Sequence, residues 1–450
     1  MLVFAKDIFL FMERTLIVNT PKYIGQDVKL AGWVHVRRDH GKLIFIDLRD
    51  RSGFIQSVVI PGATEAYEIA KNLRSEYIVE MEGLVKVRPI GAVNQDLPTG
   101  GVEVEVKRIN LISKTEGDLP IDISRDNLEL HLETLLDNRH LTLRNEKIKS
   151  IFKVYSELIR AYGEIMRSEG FVEIKTPKIL SNATEGGANF FKIKYFDREA
   201  VLAQSPQFYK QAGVGFFERV FEIGTVFRAE PHYTTRHVNE YTGLDAEMGF
   251  IENFEDVMEQ LEKTMFYMLE SIERNCVSEL KNYDASIPER IAIPRLKLAA
   301  ALEILEKEYG KKYEEIDIDP EGERLICEWA KKNYQSDFIF LTYYPVSIRP
   351  FYAMPSEDGI FTESFDLLFR GVEIATGGQR IHQYDKLIES MKKCNLKTED
   401  FKDYLDIFKY GMPLHGGWGL GSERIVQQIL GLKSIKEAVL YPRDVKRLTP

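Results

Sequence analysis

The sequence predicts an α+β protein: a small N-terminal antiparallel barrel, then a larger antiparallel sheet with flanking helices. Three observations predict it. A chain of 450 residues exceeds the size at which a single core stops growing, about 250–300 residues, so two or three cores follow. The first hundred residues alternate apolar and other side chains at period two, and from Asn145 the apolar spacing changes to three and four. Beyond that, strand patterns alternate with helical ones, which an antiparallel sheet with flanking helices fits best.

The barrel comes first. Val28, Leu30, Gly32 and Val34 alternate with other types, as do Val102, Val104 and Val106 with Glu103 and Glu105. Asp39-His40-Gly41, Arg51-Ser52-Gly53 and Pro98-Thr99-Gly100-Gly101 punctuate the strands as turns. The segment 113–130 is polar, carries Pro120 and lacks periodicity, so the boundary belongs there. Ile148, Ile151, Phe152, Tyr155, Leu158, Ile159, Tyr162 and Ile165 then mark a long amphipathic helix ended by Gly170. Residues 171–177 read as a strand stopped by Pro177, which cannot donate to a ladder. Further strands are expected around 219–228, 245–251, 337–341 and 362–376, and helices around 254–275 and 321–332.

Composition excludes several classes. At 44% hydrophobic and 29% charged the chain is an ordinary soluble globular protein, and no apolar stretch approaches the roughly 20 residues of a membrane helix. A net charge of −10 argues against nonspecific coating of nucleic acid, because long-range attraction to phosphate would be weak or repulsive. Local contact is another matter: between Ala31 and Arg51 the balance reverses, with Arg37, Arg38, Lys42, Arg49 and Arg51 facing Asp39, Asp47 and Asp50. Cys276, Cys327 and Cys394 lack metal-ligand or redox spacing and read as buried reduced thiols of a cytosolic protein. The apolar patches before Met12 are broken by Lys6 and Asp7 and carry no signal-peptide pattern; they read as a loose leader, or Met12 is the true start.

Four constellations carry chemistry. On the barrel, Phe45, Gln56 and the surrounding arginines suit stacking on and reading of unpaired bases, although on pattern alone Phe45 reads as barrel core. In Phe227-Arg228-Ala229-Glu230, Arg236-His237 and Glu240-Tyr241 to Asp245-Ala246-Glu247, strand alternation would set Arg228 and Glu230 on one face. A hairpin return would bring His237, Tyr241 and Asp245 beside them. Such a face offers a guanidinium to phosphate, a carboxylate to an amine and an aromatic plate to a base; a solvated charged hairpin accounts for the pattern equally.

Asp366 and Glu373, seven apart, would meet across a bent or bulged strand pair as a Mg²⁺ site bridging nucleotide phosphates. Finally, Gly416-Gly417-Trp418-Gly419-Leu420-Gly421-Ser422-Glu423-Arg424 lets backbone approach a ligand and puts Arg424 in the first turn of a helix, facing phosphate. It is neither a Walker loop nor a Rossmann fingerprint. With no nucleophilic Ser or Cys motif and no paired-His metal site, the residues imply an ATP-dependent, ligase-like enzyme working by positioning and electrostatics.

Three of these segments, 171–177, 227–245 and 416–424, occur in the order of the class II aminoacyl-tRNA synthetase motifs, and residues 14–450 resemble the aspartyl-tRNA synthetases, most closely the archaeal and eukaryotic type. The resemblance implies an OB-fold anticodon-binding domain at 14–113, a linker or hinge at 114–143 and a class II catalytic domain at 144–450. Phe45 would stack on a base while Arg38 and Gln56 hydrogen-bond bases, which overturns the core reading of Phe45. The first motif would build a homodimer.

ATP would meet Arg228 at the α-phosphate, Glu230 at the adenine amine, Tyr241 at the adenine face, Arg236 and His237 at the outer phosphates, and Arg424, next to Gly421, at the γ-phosphate. Glu373 and Asp366 would hold Mg²⁺, with Thr376, where serine is usual, near metal and substrate. L-aspartate would meet Gln204, Gln207, Lys210, Arg228 and Arg380, with Asp245 on its ammonium and Glu185 on a loop that closes over it.

The implied reaction is cytoplasmic aspartate–tRNA ligation through aspartyl-adenylate, with tRNA-Asp as acceptor. Lys210 disfavours the asparaginyl alternative, because asparagine would leave its ammonium without a charge partner. His35 stands where members strictly specific for tRNA-Asp tend to carry Trp, so charging of tRNA-Asn as well is the alternative.

Overall fold

A computed structural model describes residues 12–182 and 189–450. The chain divides into two compact units, one ending at Asp126 and one from Asn127 to Pro450. The loop residue Glu185 and the leader before Met12 lie outside the described residues.

The first unit is a closed five-stranded barrel of β1 (Asp27–His40), β2 (Leu43–Asp50), β3 (Gly53–Val59), β4 (Ile78–Val87) and β5 (Val102–Ser113), in the order β1-β2-β3-β5-β4, with helix α1 (Thr64–Lys71) between β3 and β4. The alternation read from the sequence is the barrel's inside and outside: Val28, Leu30, Val34, Ile44, Ile46, Leu48, Val104 and Val106 fill one core. Phe45 therefore falls on the outer face, opposite Arg38 in the β1–β2 register. Arg49, part of the basic stretch, is buried and paired with Glu76 at 3.0 Å. Its guanidinium is taken up by that ion pair on the outer side of the barrel wall, over the Trp33 ring, and does not face solvent.

The second unit opens with short helices α2 (Leu132–Asp137) and α3 (Arg139–Thr142), so the second half of the expected linker is helical. Next come α4 (Glu146–Ser168), β6 (Val172–Glu173), β7 (Ile179–Leu180), β8 (Lys192–Tyr195), β9 (Arg198–Leu202), α5 (Gln207–Phe217), β10 (Arg219–Phe227), β11 (Glu240–Gly249), α6 (Phe254–Asn275) and α7 (Val277–Lys281). After them run β12 (Arg295–Lys297), α8 (Leu298–Tyr309), α9 (Pro320–Tyr334), β13 (Phe338–Thr342), β14 (Ser364–Phe369), β15 (Val372–Gln379), α10 (Tyr384–Lys393), α11 (Lys402–Lys409), β16 (His415–Gly421) and α12 (Ser422–Leu430). Eight strands form one sheet in the order β12-β13-β14-β15-β16-β11-β10-β6, antiparallel except at its two ends.

Helices α4 and α6 cover one face of this sheet. Val154, Leu158 and Tyr162 of α4 and Leu261, Met265 and Leu269 of α6 pack with Phe221, Leu244, Ala246 and Trp418 in one core. Asn145 caps α4 by accepting from the backbone N–H of Lys147 and Ile148.

Four expectations need correction. The strand expected over 171–177 is only Val172–Glu173, with Ile174 N–H still donating to the Phe221 carbonyl at 2.9 Å, and beyond it Thr176 turns its backbone N–H and its hydroxyl to the Glu222 carboxylate. The single segment 362–376 is a hairpin, turned at Arg370 and Gly371, both with positive φ. The glycine run is central strand β16: a Cβ at Gly417 would stand 2.1 Å from the Ala246 carbonyl oxygen, so only glycine lets β16 and β11 approach. Cys276 and Cys327 are buried, but Cys394 is exposed.

Candidate active site

Alternation along β11 builds the floor of the site. Leu244, Ala246 and Met248 enter the helix-covered core, so Tyr241, Gly243 and Asp245 face the other way, into a cavity of about 370 Å³. Strand β10 stops at Phe227, so Arg228 and Glu230 project from a loop rather than from a strand as expected. Asn239 closes that loop, with its side-chain amide donating to the carbonyls of Arg228 at 2.7 Å and Glu230 at 3.3 Å. Arg228, Glu230, Arg236, His237, Tyr241 and Asp245 all line the cavity, as do Gln204, Gln207, Lys210, Glu373, Thr376, Arg380, Gly421 and Arg424.

One end is a buried charge cluster. Lys210, 1% exposed, donates to Asp245 Oδ1 at 3.0 Å and to the Trp418 carbonyl at 2.8 Å, and Glu247 Oε2 stands 3.7 Å from it. Arg380 Nε donates to Glu247 Oε1 at 2.9 Å and one terminal nitrogen to the Gly417 carbonyl at 3.1 Å. Burial pushes the Asp245 carboxyl up against the pull of Lys210. Burial opposes charge on Glu247 too, but Arg380, Lys210 and His415 together hold its carboxyl below the ordinary value. Gln207 Nε2 and Gln204 Oε1 are buried here without hydrogen-bond partners among the described residues, polar atoms of the kind a ligand satisfies.

The other end gathers cations. Arg424 lies in the first turn of α12 and donates to the Glu373 carbonyl at 2.7 Å. Arg236 forms an ion pair with Glu323 of α9. Burial, and then Arg424, lowers the pKa of His237. Between the two ends, the Arg228 guanidinium lies 5.9 Å from the centre of the Tyr241 ring.

Asp366 and Glu373 lie on the paired strands β14 and β15, on either side of a bulge between Leu367 and Leu368, near enough for each to feel the other's charge. Thr376 Oγ1 donates to Glu373 Oε1 at 2.8 Å. Asp366 does not reach the cavity wall; it sits deeper, 2.8 Å from Arg349. Burial raises the Asp366 carboxyl against Arg349, whereas for Glu373 the pull of Arg424, Thr376 and Arg228 outweighs burial and lowers it. Among the described residues no cluster of three or more His, Cys, Asp or Glu forms a metal cage. The Glu373 carboxylate and the Thr376 hydroxyl, which do line the cavity, still suit Mg²⁺, which takes one or two protein carboxylates and completes its shell with water and phosphate oxygens.

On the barrel, Arg38 grips Asp47 with two hydrogen bonds of 2.6 and 2.9 Å and reaches Gln56 Oε1 at 3.4 Å, while Gln56 Nε2 donates to Glu103 at 2.9 Å. Phe45 lies half-buried beside them. His35 sits at a bulge in β1 with its ring 4.9 Å from Phe54.

Sequence reading gave no role to Glu247, Glu323 or Arg349. Glu247 was within reach, since it lies two residues past Asp245 on the same strand face. Arg349, stacked 3.8 Å over the Tyr344 ring, comes from a segment without periodicity and gave no signal.

Residues 131–445 match the family described as tRNA synthetases class II (D, K and N), and residues 28–112 match the OB-fold nucleic acid binding domain. The chain is 43% identical over 438 residues to an aspartate–tRNA(Asp/Asn) ligase of Thermus thermophilus, covering 97% of this chain and 100% of that protein. It is also 43% identical over 441 residues to an aspartate–tRNA(Asp) ligase of Pyrococcus abyssi, covering 96% and 98%. The crystal structure of asparaginyl-tRNA synthetase from Pyrococcus horikoshii complexed with asparaginyl-adenylate superposes with a TM-score of 0.87 at 34% identity, covering 96% and 98%. The structure of aspartyl tRNA synthetase from Entamoeba histolytica does so with 0.87 at 29%, covering 100% and 95%. Among the described residues no helix is long and apolar enough to cross a membrane. A cavity with a buried cation pair at one end and arginines at the other, on an antiparallel sheet preceded by an OB-fold barrel, thus agrees with full-length sequence identity: the chain belongs to the aspartate–tRNA ligase family of class II aminoacyl-tRNA synthetases.

Proposed function

We propose that the protein activates L-aspartate with ATP to aspartyl-adenylate and transfers the aspartyl group to the 3′ end of tRNA-Asp. The observation that carries this is the pair of buried cations, Lys210 and Arg380, at one end of a cavity whose other end gathers arginines. The aspartate side-chain carboxylate lies against Lys210 and Arg380, its ammonium on Asp245, with Gln204 and Gln207 completing the polar wall. Tyr241 and Glu230 take the adenine, Arg228 the α-phosphate and the reacting carboxylate, and Arg424, Arg236 and His237 the outer phosphates.

The aspartate α-carboxylate attacks the α-phosphorus, pyrophosphate leaves, and a ribose hydroxyl of the tRNA terminus then attacks the mixed anhydride, releasing AMP. No protein nucleophile takes part. Arg228 neutralises charge that develops on the α-phosphate, and the fixed fork of cations aligns the two reactants, which is where positioning and electrostatic catalysis act. Glu373 and Thr376 would hold Mg²⁺ at the cavity wall, with Asp366 behind them, and the ion would supply charge neutralisation to the phosphates.

Residues 14–113 read the anticodon with His35, Arg38, Phe45 and Gln56, residues 144–450 carry the chemistry, and 114–143 join them. The protein works in the cytoplasm as a homodimer. Exposed Val172 on edge strand β6, with Phe216, Phe217 and Phe250 beside the start of β10 and the end of β11, supports the dimer.

A second reading has tRNA-Asn charged with aspartate as well. His35 favours it, and the relatives named for one tRNA and for both stand at equal identity. Charging of separate tRNA-Asp and tRNA-Asn transcripts with labelled aspartate and labelled asparagine decides. Aspartate on tRNA-Asp alone supports the first reading and aspartate on both the second; asparagine incorporation refutes the role of Lys210.

A further inference from the structure

We propose that Glu323 is a positioning residue for ATP, anchoring Arg236 at the outer-phosphate end of the cavity. The proposal rests on the reading of Arg236 as a phosphate ligand. Glu323 belongs to α9, outside all three motif segments, 87 residues from its partner. Its side chain is turned inward, 12% exposed, whereas Glu321 of the same helix is 61% exposed and pairs with Lys311 at the surface.

A carboxylate in this position is adverse by itself. It lies within electrostatic reach of Glu373 and Arg424, where a triphosphate brings further negative charge, and a buried acid without a counter-ion would oppose ATP. Its partner is Arg236, through one terminal nitrogen of the guanidinium. The backbone of Arg236 is fixed separately: its N–H donates to Thr234 Oγ1 at 3.2 Å, and the neighbouring Thr235 carbonyl accepts from Ile435 N–H at 2.9 Å. The residue is therefore held at both ends.

A guanidinium carries five N–H donors in a planar fork. With one nitrogen on Glu323, the plane is set and its remaining edge is presented from the cavity wall, where Arg236 is a lining residue. Arg236 then meets phosphate already ordered. Without the anchor, ATP would have to order a long side chain as it binds. Glu323 itself is seated on a capped helix: Asp319 accepts from Gly322 N–H at 2.8 Å, and Pro320 occupies the first turn.

The test is tRNA-free ATP–pyrophosphate exchange with Glu323→Gln, Arg236→Ala and the double variant, each with a thermal melt. Gln keeps the shape and removes the charge. The expected result for Glu323→Gln is a rise of roughly three- to tenfold in the ATP KM, with the aspartate KM and the melting temperature unchanged. Arg236→Ala raises the ATP KM further, and the double variant matches Arg236→Ala, because the two residues act as one unit. Glu323→Asp, one methylene short but charged, falls between wild type and Gln. If Glu323→Gln leaves the ATP KM unchanged or lowers it while Arg236→Ala raises it, the anchor is refuted and the Arg236 reading stands. If Arg236→Ala has no effect, both fall. A parallel rise in aspartate KM or a lower melting temperature in Glu323→Gln would make the acid a general structural residue and overturn the proposal.

Discussion

Replacing Lys210 by Met tests the charge cluster at its centre. The substitution nearly conserves volume, so the cavity contribution is small and the effect is electrostatic. The ammonium lies 3.0 Å from Asp245 Oδ1, an attraction of about 5 kcal/mol at an effective dielectric constant near 20. Most of that offsets the desolvation of two buried charges, but removing one partner strands the other, at about 3–5 kcal/mol. Asp245 escapes by protonating.

Its carboxyl is already raised by burial against the pull of Lys210, so loss of Lys210 raises it further. A carboxyl raised on folding favours the native state below its unfolded pKa, and that contribution is lost as pH rises through the folded value. The stability deficit of the variant is therefore smallest near pH 5 and widens towards pH 8. Urea unfolding at both pH values measures this, and pyrophosphate exchange should show kcat/KM for aspartate reduced by about 10⁴, the scale on which a buried polar site rejects a ligand it cannot pair. An equal deficit at pH 5 and pH 8, or exchange activity within tenfold of wild type, would refute the reasoning.

Three further outcomes are expected. Arg38→Ala removes both bonds to Asp47 and the contact to Gln56; tRNA charging should fall by about 10- to 100-fold, the loss of one to two base contacts, with tRNA-free pyrophosphate exchange unchanged. Glu76→Gln strands the buried Arg49 guanidinium and should cost the barrel about 3–5 kcal/mol, read as faster proteolysis of the first unit while pyrophosphate exchange persists. Gly417→Ala forces a methyl into the Ala246 carbonyl and the Glu247 carboxylate, at 2.1 and 2.4 Å, so β16 must part from β11; a loss of about 3 kcal/mol or more and no detectable aspartate activation are expected by thermal melt and exchange assay.

The barrel was legible because its pattern is local. Val28, Leu30 and Val34 face one core at period two, and the same register that buries Ile44 and Ile46 turns Phe45 outwards. The helix over 146–168 was legible for the same reason, with a capping Asn145 ahead of a three-and-four apolar stripe. What failed needed knowledge of partners far along the chain. Beyond the strand at 172–173 Thr176 turns to Glu222, and β10 ends at Phe227 because Asn239 draws the Arg228 and Glu230 carbonyls into a loop. The glycine run was read as letting backbone approach a ligand, and Gly419 and Gly421 do line the cavity, but Gly417 is needed because two central strands lie backbone to backbone.

Within the site, the residues that face the ligand were read from type and spacing, whereas those that hold them were not. Arg349 touches Asp366 from an aperiodic segment, and Glu323 reaches Arg236 from another helix. Glu247 shows why the supporting residues decide specificity. It is fully buried between Lys210 and Arg380 and kept ionised by them. On the proposed reading Asp245 is committed to the substrate ammonium, so two cations and one acid remain around the substrate side chain, one positive charge in excess. Aspartate closes that excess with its carboxylate. Asparagine, of nearly the same shape, leaves it open among buried groups, and binding loses the ion pair and gains an uncompensated buried cation. Lys210 and Arg380 by themselves would leave two unneutralised charges; with Glu247 the cluster is balanced for one carboxylate.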